Sequence, residues 1–240
     1  MKKLILALPL ALLLALPGFA ADKLDKADQE ALRDAVPTLN ALTSAPDKGI
    51  PQELLAKASC ILVFPSVTKG AFIVGGKGGH GVASCRQPNG EMGPVAIYTI
   101  GGASIGFQFG GQTAEFVLLI MNDQGVNHLL EDKFTIGGEA SATAGPVGRT
   151  AQAATDAQLH AQILSWSRSR GLFAGVALDG SVVKPDKEGN AALYGGETSG
   201  KAILVDSKLP IPPETRQVVD AIRHHMNAAA AHEAAEEGKR

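Results

Sequence analysis

An α+β domain, with a mainly antiparallel curved or barrel-like sheet and peripheral helices, is the fold class that three features of the sequence predict. The first is the stretch Val95 to Met121, VAIYTIGGASIGFQFGGQTAEFVLLIM, in which Glu115 is the only formally charged side chain. Polar residues and paired glycines interrupt it, so it lacks the run of about 18 apolar residues that reads as a lipid-spanning helix and instead suggests strands crossing a core. The second is a series of short apolar and β-branched runs, CILVF, GVASC and ILSWS, bounded by Gly, Pro, Asn and Asp. The third is an apolar stripe of helical period at each end of the chain.

Taken in order, Leu24, Ala27, Ala31, Leu32, Val36, Leu39 and Leu42 predict helical segments, with a break or kink near Pro37. Pro51 opens a short helix through Ala58. Cys60 to Phe64 reads as a strand ended by Pro65, Ser66 to Gly70 as a polar connection, and GGKGGHG, Gly75 to Gly81, as a close-packed path before a returning Val82 to Cys85. The central run divides into three strands, near Val95 to Ile100, Ser104 to Gly110 and Ala114 to Met121. Asn122 or Asp123 caps a short helix to Leu130. Ala161 to Ser167, Leu172 to Leu178 and Ser181 to Val183 follow as strands, the last after an Asp179-Gly180 turn. A short helix toward Tyr194 and a late helix from Glu214, with Val218, Val219, Ile222 and Met226 on one face, close the domain.

Met1 to Ala20 reads as a signal peptide: Lys2 and Lys3 precede the apolar Leu4 to Leu16, and Gly18 and Ala20 supply small residues before a cleavage point. Removal leaves residues 21–240 as one domain, and the expected location is periplasmic or secreted. With 22 basic against 24 acidic residues, the chain is mildly acidic, which argues against a general nucleic-acid surface. Two readings of Cys60 and Cys85 stay open, a disulfide between neighbouring strands and a pair of small buried hydrophobes.

No established catalytic or cofactor motif emerges. Lys77 is followed by Gly78 where a phosphate loop needs Ser or Thr, the central glycines do not spell GxGxxG, and the six histidines form no metal-binding spacing. Neither a metal nor a cofactor is therefore expected. Glu115, Glu139, Asp156 and Asp179, or Ser165 and Ser181, would need three-dimensional partners for chemistry, so the expectation is a protein that is not an enzyme. Glu115 stands out for its apolar surroundings, which suit a strand residue facing water or paired with an arginine. Arg168 and Arg170 would share a face on a continuing strand and meet an anionic headgroup, with Lys69, Lys77 and Arg86 extending a positive surface.

The ordered segments CILVFPSVTKGAFIVGGKGGHGV, YTIGGASIGFQFGGQTAEFVLLIMN, KFTIGGEASATAGPVGR and ILSWSRSRGLFAGVALDGSVVKPD together resemble the SYLF domain, the Ysc84-like lipid-binding family formerly called DUF500. The resemblance covers roughly Leu54 to Val205. It implies non-enzymatic binding of phospholipid or another anionic envelope amphiphile, through peripheral rather than integral membrane association, with a structural or protein-interaction module of the cell envelope as the alternative. Lys69 in FPSVTKG, Arg149 in GPVGR, and Arg168 and Arg170 in SRSRG are the headgroup candidates. Phe107, Phe109 and Phe173 are candidates for an apolar core or cavity.

Overall fold

The computed structural model describes residues 23–45, 49–71, 73–106, 112–146, 161–169, 172–175, 178–196, 198–206 and 209–238. Among these, nine strands form one curled, mostly antiparallel sheet of half-barrel shape. They are β1 (Cys60–Ala71), β2 (Ile73–Arg86), β3 (Met92–Gly106), β4 (Gln112–Ile120), β5 (Phe134–Thr135), β6 (Ala142–Ala144), β7 (Ile163–Ser169), β8 (Leu172–Gly175) and β9 (Val182–Pro185). The order across the sheet is β5-β9-β3-β2-β1-β4-β7-β6, with β8 also on β7, and only β6 runs parallel to its neighbour.

Alternation along each strand sorts the core into two layers. Ile61, Val63, Val82, Val95, Val117, Leu119, Leu164 and Trp166 face a helical cover made by α1 (Lys26–Thr43), α2 (Gln52–Lys57) and the last helix, α6 (Arg216–Glu237). Leu32, Ala35, Leu39 and Leu42 of α1 and Val218, Ile222 and Met226 of α6 fill that layer. The opposite face carries Leu62, Phe64, Ala83, Ala96, Tyr98, Leu118 and Ile120. It is closed by Leu129 of α3 (Asp123–Leu129), by Phe134, and by Ile203 and Leu204 of α5 (Gly200–Leu204). Full burial of each large apolar side chain contributes about 1.5–3 kcal/mol, so both layers stabilise this end of the sheet. Tyr98 meets its polar requirement there by donating to the Leu129 carbonyl at 2.9 Å, and burial raises its phenol pKa.

The strands are longer than the sequence reading divided them. Pro65 does not end β1, and Ser66 to Gly70 is strand rather than connection. Val63 pairs with Val82 whereas Thr68 pairs with Gly78, and Phe64 pairs with Phe116 whereas Val67 pairs with Ala114. Both shifts correspond to one extra residue in β1, a bulge that accommodates a proline unable to donate to the ladder. Likewise, the first two of the three expected central strands merge into β3, because Gly101 and Gly102 pair with Gly78 and Lys77 instead of turning. The Gly75–Gly81 stretch is the matching part of β2. Gly81 is required there by close approach: a Cβ would run into the Phe64 ring and the Val63 carbonyl.

Helix α1 also runs without interruption across Pro37. That residue is exposed, so water can reach the carbonyl left without its helical donor. Local signals placed other ends correctly. Asn122 accepts from Gly125 N at 2.9 Å to cap α3, Asp186 caps α4 (Lys187–Tyr194), and Gly195, with φ 76°, ends that helix in the left-handed region. Gly180, with φ 74°, makes the turn before β9.

Candidate functional site

Beyond the β1 bulge, the far ends of β1 to β4 carry glycines and polar residues where their near ends carry the core. On the face opposite the helical cover, Lys69 of β1 lies directly across from Lys77 of β2 and, on its other side, from Gln112 of β4. Two ammonium groups directly opposed across a strand pair repel one another. Neither makes an ion pair among the described residues. Burial, and then the charge of Lys69, push the Lys77 pKa down, while Asp179 pulls it back up. Lys77 is able to lie flat because its β3 partner is Gly102, whose missing Cβ would stand 3.2 Å from the lysine Cε.

Beneath the lysines is a cavity of about 390 Å³. Val67, Ala114, Phe116 and Leu178 line it, with Gln112 and Ser169 also contributing. Val67 and Leu178 are each 4% exposed and belong to the second core layer, so the groove floor continues into the core of the protein. An apolar floor beneath a cationic rim is the chemistry of a site for an anionic amphiphile.

The other sequence candidates do not all gather here. Arg168 sits on β7 opposite Glu115 of β4, and its Nε and Nη2 each donate to a Glu115 carboxylate oxygen at 2.5 Å. This bidentate pair raises the guanidinium pKa, and it lies on the same face as Val117 and Trp166, across the sheet from Lys69. Arg86 donates to the Gly90 and Ala56 carbonyls, tying β2 to its turn and to α2. Arg149, Arg170, Phe107 and Phe109 lie outside the described residues, as does Met1 to Ala20. Phe173 belongs to β8, paired with Arg168. Cys60 and Cys85 are directly opposed on β1 and β2 and form a disulfide, with Cα atoms 4.0 Å apart.

A second cluster escaped the sequence reading because its members are far apart in the chain. His80 of β2 faces the start of α1, where its Nδ1 is 2.7 Å from Asp28 Oδ1 and 3.6 Å from Asp186 Oδ2. Asp28 is 2% exposed, and burial raises its pKa against the opposing effect of the His80 hydrogen bond. With Asp25, which caps α1 by accepting from Asp28 N at 2.7 Å, these residues bring three ligand-type atoms within 4.8 Å of one another. The arrangement is accounted for as a tie between the α1 N-terminus, the sheet and α4.

The family model described as "Ysc84: Las17-binding protein actin regulator" matches residues 101–225. Protein YSC84 of Saccharomyces cerevisiae is 32% identical over 170 residues, 70% of this chain and 36% of its own length. SH3 domain-containing YSC84-like protein 1 of Xenopus laevis is 29% identical over 180 residues, 75% of this chain and 53% of its own length. LAS seventeen-binding protein 3 of Saccharomyces cerevisiae is 32% identical over 169 residues, 69% of this chain and 37% of its own length. The chain thus spans about a third to a half of the length of these relatives. They overturn the expectation of a periplasmic or secreted product. The similar proteins come from yeast and vertebrates, and the matching family model is described as an actin regulator, neither of which fits an exported product of a bacterial-type envelope.

Proposed function

The chain belongs to the Ysc84 family, and from that premise we propose that it binds an anionic lipid or related amphiphile reversibly and without catalysis, in the groove beneath Lys69 and Lys77. The observation that carries this reading is the pair of opposed lysines, without a carboxylate ion pair among the described residues, over an apolar floor. An anionic head between the two ammonium groups would replace their repulsion with charge-assisted hydrogen bonds, and a chain on Val67, Phe116 and Leu178 would add apolar burial. The absence of any carboxylate or histidine from the described lining favours binding over acid–base chemistry. Arg149 and Arg170 are further headgroup candidates on sequence grounds, and Phe107 and Phe109 further apolar contacts, whereas Phe173, paired with Arg168, belongs to the other face of the sheet. Association with a membrane is peripheral in this reading. Among the described residues no helix is long and apolar enough to cross one.

A second reading, a protein-interaction module, is favoured by the family description as Las17-binding and by the name of LAS seventeen-binding protein 3. Co-sedimentation with anionic vesicles separates the two. The lipid reading expects binding that weakens with salt and falls when Lys69→Gln and Lys77→Gln are combined in a folded protein. Absence of binding at low salt, to vesicles and to soluble single-chain anionic amphiphiles alike, would leave the protein-interaction reading in possession of the field.

A further inference from the structure

We propose, resting on the lipid-binding reading, that the groove takes a single-chain phosphate monoester, one hydrocarbon chain ending in a phosphate head, held as an individual molecule instead of read at a bilayer surface. Three observations lead to this ligand class. The cavity, at about 390 Å³, is near the small end of the roughly 300–1,000 Å³ typical of small-molecule sites, which suits one chain and not the two of a diacyl lipid.

The rim supplies two ammonium groups in direct cross-strand register, with Cβ atoms expected about 4.5–5.5 Å apart. A phosphate monoester carries about −1.5 to −2 charge at pH 7 and so matches both, whereas a carboxylate or a phosphodiester carries one charge and leaves a lysine unmatched. Depression of the Lys77 pKa by burial and by Lys69 fits the same account, since an incoming dianion relieves both ammonium groups. Finally, the floor is not a shallow surface patch. Val67 and Leu178 are core residues, and Ala114, directly across from Val67, leaves open a space that a larger side chain there would fill.

Calorimetric titration of the full chain with dodecyl phosphate below its micelle concentration tests this, alongside dodecanoate, inorganic phosphate and anionic diacyl vesicles. Saturable one-to-one binding of dodecyl phosphate is expected, about tenfold or more tighter than either dodecanoate or inorganic phosphate, with Lys69→Gln and Lys77→Gln each weakening it about tenfold. Ala114→Trp fills the floor and is expected to abolish it. The two lysine variants, at partly exposed positions, keep the test valid should the tryptophan variant misfold. Vesicle binding without dodecyl phosphate binding overturns this proposal and leaves the lipid reading standing. Failure of both overturns both. Equal affinity for dodecanoate or inorganic phosphate overturns the assigned ligand class, as does unchanged affinity in both lysine variants.

Discussion

The two ends of strands β1 to β4 are built from the same four chain segments and by opposite rules. Near Cys60, each face of the sheet is covered: Ile61, Val117 and Trp166 under helices α1, α2 and α6, Leu62, Leu118 and Ile120 under α3 and α5. Beyond the bulge, the residues are Thr68, Lys69, Gly76, Lys77, Gly78, Gln112 and Thr113, all of them exposed or partly exposed. Hydrogen bonding is continuous through both ends. The difference lies in side-chain burial alone, so the covered end, which carries the core, and the open end, where ligand recognition is proposed, are separable by substitution.

The largest effect is expected at the covered end. Trp166 is fully buried and donates from Nε1 to the Pro146 carbonyl at 3.1 Å, so Trp166→Ala should lower stability by about 3–5 kcal/mol in denaturant unfolding. Next comes the disulfide, which closes a separation of 25 residues. Replacing Cys60 and Cys85 together by serine should cost about 3 kcal/mol, read as a lower urea midpoint. A pH effect follows in size. His225 of α6 contacts Thr43 Oγ1 at 3.2 Å and Asn40 Oδ1 at 2.7 Å of α1, and burial together with His224 lowers its pKa from 6.5. The unfolded chain therefore binds the proton more readily. Stability is complete above about pH 6.5 and declines as pH falls toward the depressed folded value, and His225→Gln should flatten that decline in thermal melts across this window. The smallest effect belongs to the open end: Lys69→Gln and Lys77→Gln should change stability by no more than about 0.5 kcal/mol while changing ligand affinity. A large loss of stability in these two variants would erase the distinction between the ends.

Sequence reasoning located features whose cause is local. The Asn122 cap, the short helix after Pro51, the Asp179-Gly180 turn and the apolar stripe of α6 each depend on residues within a few positions of one another. It divided β1 and β3 too finely because Pro65 and Gly101-Gly102 are punctuation in isolation. What keeps them in strands is the neighbour: Gly101 lies across from Gly78, and the bulge at Pro65 is fixed by β2 and β4 on either side. The site followed the same division. Lys69 was legible as a candidate from its segment, and Glu115 as a carboxylate suited to an arginine, but the identity of the Glu115 partner and the opposition of Lys69 to Lys77 are facts of register. The Asp28–His80 tie spans 52 residues and had no sequence signal beyond the two residue types.

The extra residue near Pro65 acts at a distance. Before it, even-numbered positions of β1 look toward the disulfide side; after it, odd-numbered positions do, which is how Val67 and Lys69 come to share a side with Phe64. Lengthening the chain by one residue at Ser66, with the bulge otherwise unchanged, would turn the remainder of the strand over, sending Lys69 through the sheet to the side of Arg168 and presenting Thr68 to Lys77. A length change of this kind, harmless in a surface loop, would here relocate a charge several residues downstream while leaving every side-chain identity intact.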